Sequence, residues 1–230
     1  MKVEEWGPRG RWRRPVSRPR PRDVSGVVFH AMNRATVGQT LFGAPADYEA
    51  FMELCVRAQR RVPIRVLSYC LMPNHWHFAL WLEDDLQMTA FLGWLSCVHA
   101  MHVRKLTGTS GKGAVYQGRY LAVPVETETY FYRLMRYIER NAARAGLVER
   151  PETWRWCSAA PRRRRQGIAL APWPCDRPDD WLEFINNEDA GGDLAVIRTR
   201  TQAGEPIAFE RLGVADLAVP THRSRPVSGA

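Results

Sequence analysis

Apolar and polar positions along the middle of this chain sort into strands and helices. Val27 to Met32 is an apolar, β-branched run of strand length, and Asn33 and Arg34 followed by Gly38 mark the loop after it. Pro45 and Asp47 then open a segment in which Tyr48, Phe51, Met52, Leu54, Cys55 and Ala58 recur at helical spacing until Pro63 stops it. Ile64 to Leu71 predicts a second strand, Met72-Pro73-Asn74 a turn, and His75 to Leu82 a third strand. The two-residue period of that third strand puts His75, His77, Ala79 and Trp81 on one face and Trp76, Phe78, Leu80 and Leu82 on the other. After Glu83-Asp84-Asp85, the residues Met88, Phe91, Leu92, Leu95, Val98 and Met101 form the apolar stripe of a second helix.

Residues 108–113, with three glycines, predict a flexible loop, and Val115 to Val125 an extended fourth strand. Thr127 is placed to cap a long helix from Glu128 to Ala145, with Gly146 as its C-terminal stop. The order β-α-β-β-α-β plus a further helix is the pattern of an α+β, ferredoxin-like split βαβ core. It predicts an antiparallel sheet with helices on one face and the other face open for a site. Beyond Val148 the pattern weakens. Trp154-Arg155-Trp156, an arginine run and a Pro-rich stretch at 171–178 predict a segment wrapping the core, with a short helix near Trp181 to Ile185 and an irregular tail. The expected organisation is a disordered arm at 1–22, a catalytic domain at 23–160 and a partly ordered extension at 161–230.

Charge changes this picture by its location. The 230 residues carry 33 Lys+Arg against 24 Asp+Glu, a net +9, at 45% hydrophobic content. Residues 1–22 hold eight basic and two acidic side chains, and Arg162, Arg163, Arg164 and Arg165 add four more positive charges. Taking that +6 and +4 from the total leaves the rest of the chain at −1. Both basic stretches are poor in apolar residues, so they favour a polyanion such as nucleic acid over a membrane surface; aiding solubility is the plainer role. No apolar run approaches the roughly 18 residues of a membrane span, and the arm has no apolar core of a leader. Five cysteines without a CxxC pair fit a reducing compartment, so a cytoplasmic protein is expected.

Two constellations carry candidate chemistry. His75 and His77 point the same way from one strand, with β-carbons about 6–7 Å apart, close enough to grip one cation while Trp76 anchors the strand. Such pairs also occur on ordinary solvated strands. On the long helix, with about 100° per residue and Tyr137 at zero, Asn141 falls near +40° and Arg133, Arg144 and Arg140 between about −60° and −20°. Phe131, Met135, Ile138, Ala142 and Ala145 lie on a separate apolar face. Tyr137 therefore stands among three arginines, a set that calls for an anion such as a phosphodiester, although a half-buried tyrosine is the simpler reading of such a position. Joined together, the parts outline phosphodiester cleavage: Tyr137 as nucleophile, a cation on His75 and His77 with the Asn141 amide as third ligand, and arginines holding the strand. Imidazole with oxygen ligation suits Mn²⁺ and tolerates Mg²⁺.

Six blocks of sequence together resemble a known family. They are Gly26 to Arg34 (GVVFHAMNR), Tyr69 to His77 (YCLMPNHWH), Tyr116 to Tyr120 (YQGRY), Arg136 to Asn141 (RYIERN), Ala145 to Val148 (AGLV) and Trp154 to Ser158 (WRWCS). In this order they resemble the tyrosine transposases with a His-hydrophobic-His motif, specifically those associated with repetitive extragenic palindromes (REP) in bacteria. The resemblance implies a ferredoxin-like core and a divalent metal on His75 and His77. It also implies Tyr137 as nucleophile, Asn141 as the helix-borne ligand, and single-stranded DNA folded into imperfect palindromic hairpins as substrate. A bacterial cytoplasm near the nucleoid, and a monomer or homodimer, go with it. Cys157 stands where the family's usual motif has serine. Gln117 and Arg119 are expected to reach DNA or to shape the turn, and His30 and Asn33 to line the same sheet face. Tyr130 is the rival nucleophile on the same helical face. The competing readings are a hairpin-binding protein without catalysis, a rolling-circle initiator or relaxase, and a structural zinc module; the last lacks cysteine ligands at usable spacing.

Overall fold

The structure, a computed structural model, describes residues 26–109, 113–125, 127–160, 167–187 and 197. The basic arm and Arg162 to Arg165 lie outside the described residues. In chain order the elements are β1 (Val28–Arg34), α1 (Pro45–Arg61), β2 (Arg65–Met72), β3 (His75–Trp81), α2 (Asp85–Leu106), β4 (Leu121–Val125), α3 (Glu128–Glu139), α4 (Asn141–Arg144) and α5 (Trp181–Asn186), with a 3-10 turn at Pro151–Thr153. The strands form one antiparallel sheet in the order β2-β3-β1-β4. The two histidine-bearing strands, β1 and β3, are therefore central.

Local chemistry explains where the helices begin. The Asp47 carboxylate accepts from the backbone N–H groups of Gly43 and Ala44 at 2.8 and 2.9 Å, Asp84 accepts from those of Leu86 and Gln87, and Thr127 Oγ1 from that of Tyr130. Each contact satisfies donors around a helix start that have no partner within the helix. α1 and α2 pack on one sheet face around Phe51, Phe91, Leu95, Trp76, Phe78 and Leu80. Trp76 Nε1 donates to Tyr116 Oη at 3.1 Å, and that hydroxyl lies 2.6 Å from His99 Nδ1, so these three polar side chains are paired inside the layer. His99 is thus a core histidine on α2, whereas Met101, expected in the apolar stripe of that helix, is 57% exposed.

The opposite sheet face departs from the expectation of an open surface. α3 lies across it, packing Tyr130, Leu134, Met135 and Ile138 against Val28, Leu67, Cys70, Ala79 and Val123. β2 prepares this face through a register shift between Val66 and Ser68, after which Tyr69 and Leu71 serve the α1/α2 layer and Cys70 and Met72 the α3 layer. The segment carrying Trp173 and α5 then covers α3 from outside, so nearly every residue from Tyr130 to Glu139 is buried. Glu139 ties these parts together. Its carboxylate accepts from Trp181 Nε1 at 2.7 Å, Ser158 Oγ at 2.8 Å and Ser68 Oγ at 3.3 Å.

Two further boundaries differ. The expected helix through Ala145 is interrupted at Arg140, whose ψ of −3° ends α3, and α4 resumes at Asn141. Gly146 does stop it, at φ 70°, with Leu147 N–H bonded to Ala142 O and Gly146 N–H to Ala143 O. The fourth strand is confined to Leu121–Val125, while Tyr116 makes only an isolated bridge to Ala35.

Candidate active site

The site forms where the covered sheet face meets the α3–α4 junction. Cross-strand register pairs His77 with Met32 and His75 with Arg34, while His30 pairs with Ala79 and so lies diagonal to His77. Residues paired across antiparallel strands share a face. His30, Arg34, His75 and His77 therefore line one side of the sheet, under the helix that brings Tyr137.

Contacts there are specific. His77 Nδ1 lies 2.9 Å from His30 Nε2, and the two rings stack with centroids 5.1 Å apart. His75 and His77 meet edge to face at 4.9 Å, and His75 Nδ1 lies 2.7 Å from Asn74 Oδ1. The Tyr137 ring meets His77 at 5.5 Å and His30 at 5.8 Å, both edge to face. The Arg144 guanidinium sits 4.5 Å from the Tyr137 ring centroid and donates through Nη2 to Asn141 Oδ1 at 3.2 Å. Tyr137 is 6% exposed, so it is buried rather than standing on a polar surface.

Burial dominates the electrostatics. It lowers the pKa of His30 to about 3 and that of His75 to about 4, with Arg34 and Arg144 adding to the effect at His75 while the Asn141 side chain opposes it. His77 is driven well below the ordinary histidine range by burial, then by the neighbouring imidazoles and both arginines. All three rings are neutral at pH 7, the state in which an imidazole nitrogen has a lone pair for a cation. Three buried polar atoms in this cluster have no hydrogen-bond partner: His77 Nε2, Asn141 Nδ2 and Arg144 Nη1. Buried polar groups are ordinarily completed by a protein partner, an ordered water or an ion. A divalent cation fits here: His75, His77 and the Asn141 amide oxygen form a mixed nitrogen and oxygen set of the kind Mn²⁺ and Mg²⁺ accept. Among the described residues no group of three His, Cys, Asp or Glu side chains is arranged to hold a metal ion by itself, so the amide oxygen of Asn141 would be needed as the third ligand beside His75 and His77.

The sequence-derived residues divide. Tyr137, Asn141, Arg144, His75 and His77 are brought together. Arg140 turns away, its Nη1 donating to Ile185 O at 3.0 Å; with Arg136, which reaches the carbonyls of Phe184 and Asn187, it secures the C-terminal end of α5. The anion expected among three arginines is thus partly replaced by backbone carbonyls. Arg133 is half-buried on α3. Gln117 and Arg119 are exposed on a segment held to the end of β1, where Gln117 N–H donates to Arg34 O and Asn33 Nδ2 to Gly118 O. Tyr130 is fully buried among the apolar side chains of the α3 layer, whereas the Tyr137 ring meets two histidines. Arg34 is the residue that the sequence pattern hides. The pattern assigns it to a loop, yet β1 runs through it, and counting in twos from His30 puts it on the histidine face beside His75.

The sequence matches the family described as IS200-like transposases over residues 23–141, just over half of the chain. Among solved structures, a REP-associated tyrosine transposase bound to a REP hairpin is similar at 14% identity, covering 62% of this chain and 82% of that one, with a TM-score of 0.48. No curated protein matches the chain.

Proposed function

This chain belongs to the IS200-like transposase family, and from that premise we propose that it cleaves and rejoins single-stranded DNA beside imperfect palindromic hairpins, through a covalent 5'-phosphotyrosine on Tyr137. The sequence blocks that resemble the REP-associated members support the hairpin substrate. The observation that carries the chemistry is the convergence of Tyr137 with His75, His77, Asn141 and Arg144 in one cluster that holds three unpartnered buried polar atoms.

In this reading His75, His77 and Asn141 would hold Mg²⁺ or Mn²⁺, which when bound supplies Lewis-acid polarisation of the scissile phosphate. Arg144 keeps the Tyr137 ring in place by its stacking and directs Nη1 to a phosphate oxygen, and Arg34 adds positive charge on the other side of His75. Tyr137 Oη attacks phosphorus and loses its proton to solvent. The bond from phosphorus to the 3' oxygen breaks, and that oxygen takes up a proton as the free 3' hydroxyl. The phosphotyrosine is still a diester, so attack by a second 3' hydroxyl restores Tyr137 and joins the strands without a nucleotide cofactor. Gln117 and Arg119 flank the rim from the segment tied to β1, and Arg133 extends the basic face along α3; all three are assigned to the DNA strand. Arg162 to Arg165 and the arm add general affinity. No helix among the described residues is long and apolar enough to cross a membrane, and action at the bacterial nucleoid fits this reading.

The test incubates the protein with a labelled single-stranded hairpin oligonucleotide and Mn²⁺ and looks for a covalent adduct on a denaturing gel. An adduct is expected from the wild type and none from Tyr137→Phe. An adduct that persists in Tyr137→Phe removes the nucleophile assignment, and cleavage retained in the His75→Ala, His77→Ala double variant removes the metal role.

A further inference from the structure

His30 is completely buried at the centre of the sheet, and its imidazole lies against that of His77. Its Nε2 lies 2.9 Å from His77 Nδ1, and the near-parallel stacking, with 22° between ring planes, fixes both rings in one orientation. Only one proton occupies the gap between those two nitrogens. If His30 supplied it, neutral His77 would carry its own proton on Nε2, a buried N–H with no acceptor and no lone pair for a cation. If His77 supplies it, Nδ1–H donates to His30, and the unpartnered Nε2 becomes a lone pair aimed into the site.

We propose that His30 is a positioning residue that holds His77 in the Nδ1-protonated tautomer and so presents Nε2 to the divalent cation. The inference rests on the metal reading given above and deepens it. His30 touches neither cation nor DNA in this arrangement; it acts through His77. Because the Tyr137 ring packs edge-on against both imidazoles, the same residue also sets the floor beneath the nucleophile. Metal-bound histidines ordinarily use a carboxylate or carbonyl for this purpose. Here the neighbouring imidazole of His30 serves as the acceptor.

The experiment measures Mn²⁺ binding to the full chain without DNA, from the loss of the free-ion signal in electron paramagnetic resonance, for the wild type, His77→Ala, His30→Leu and His30→Gln. His30→Leu fills the space without an acceptor and is expected to weaken Mn²⁺ binding about 10- to 100-fold. His30→Gln places an amide oxygen near the Nε2 position and is expected to restore most of the affinity. His30→Leu binding as tightly as the wild type, or His30→Gln binding as weakly as His30→Leu, overturns the proposal. Wild type and His77→Ala binding Mn²⁺ equally overturns the metal reading itself, a result the His30 variants do not produce. A second readout needs no variant: long-range ¹H–¹⁵N spectra of the wild type are expected to show His77 with a protonated Nδ1 and an unprotonated Nε2, and the reverse assignment overturns the proposal.

Discussion

Replacing Glu139 tests how the outer segment is held over α3. The side chain is 2% exposed and accepts hydrogen bonds from three separate parts of the fold: β2 through Ser68, the Trp154–Ser158 segment through Ser158, and α5 through Trp181. Glu139→Ala leaves the Trp181 indole N–H buried without an acceptor, at about 1–3 kcal/mol, and opens a small cavity besides. Ser68 and Ser158 remain bonded to each other at 2.7 Å, so the hydroxyls contribute little to the loss. The sum is about 3 kcal/mol, or roughly 6–12 °C in Tm at 2–4 °C per kcal/mol for a domain of this size. Glu139→Gln keeps the shape and an oxygen for Trp181, and the two serine hydroxyls can rotate to accept from its amide. It is expected to stay within about 1 kcal/mol of the wild type.

The pH dependence has a definite sign. Burial raises the Glu139 pKa above its ordinary 4.5 despite the hydrogen bonds from Trp181 and Ser158 and the charge of Arg177. The folded chain therefore binds this proton more tightly than the unfolded chain. The associated stability is complete below pH 4.5 and is lost as pH rises through the raised folded value. Thermal melts of the wild type and Glu139→Gln from acid to neutral pH should show the wild type losing ground to the variant as pH rises. A Glu139→Gln melting as low as Glu139→Ala at neutral pH, or a wild type that gains on the variant with rising pH, would refute the reasoning.

Arg140 and Arg144 should separate in their effects. Arg140→Ala loses a bond to Ile185 O from a charged donor and should lower stability by about 1.5–3 kcal/mol, while Arg144→Ala should reduce adduct formation more and Tm less, read by parallel melts and gels. Of the five cysteines, exposed Cys97 should react with Ellman's reagent first and half-buried Cys175 more slowly, while Cys55, Cys70 and Cys157 react only on unfolding. For the basic stretches, deleting residues 1–22 or changing Arg162 to Arg165 to alanine should flatten the dependence of log K on log salt by about 0.7 for each single-strand phosphate that is no longer neutralised. An unchanged slope would show that the stretch does not touch DNA.

How far the chain can be read depends on the range of the interactions. The period of two in β3 identifies which side carries His75 and His77 and which side carries Trp76 and Phe78, and the structure keeps that division, because alternation is a local property of an extended backbone. Helix starts at Asp47, Asp84 and Thr127 are equally legible, since a cap acts over three residues. The covered sheet face is not foreseen, although β2 carries its sign: Val66 to Met72 is nearly all apolar on both parities, which marks a strand buried on two sides. The angular plot of the long helix groups Tyr137 with Asn141 and Arg144, as their contacts do, and sets the apolar face apart, but it gives Arg140 no partner other than an anion. Only the return of residues 167–187 over α3 gives Arg136 and Arg140 their carbonyl partners.

Short-range spacing is enough for the element order, the parity of the histidines and the candidacy of Tyr137 and Asn141, and the motif blocks add the resemblance to REP-associated transposases. Tertiary structure decided what those residues face. The diagonal contact of His30 with His77, the place of Arg34 beside His75, the stacking of Arg144 on Tyr137 and the burial of Glu139 each join residues from separate elements. Sheet register and helix docking set those distances, and neither is encoded in the spacing of a single segment.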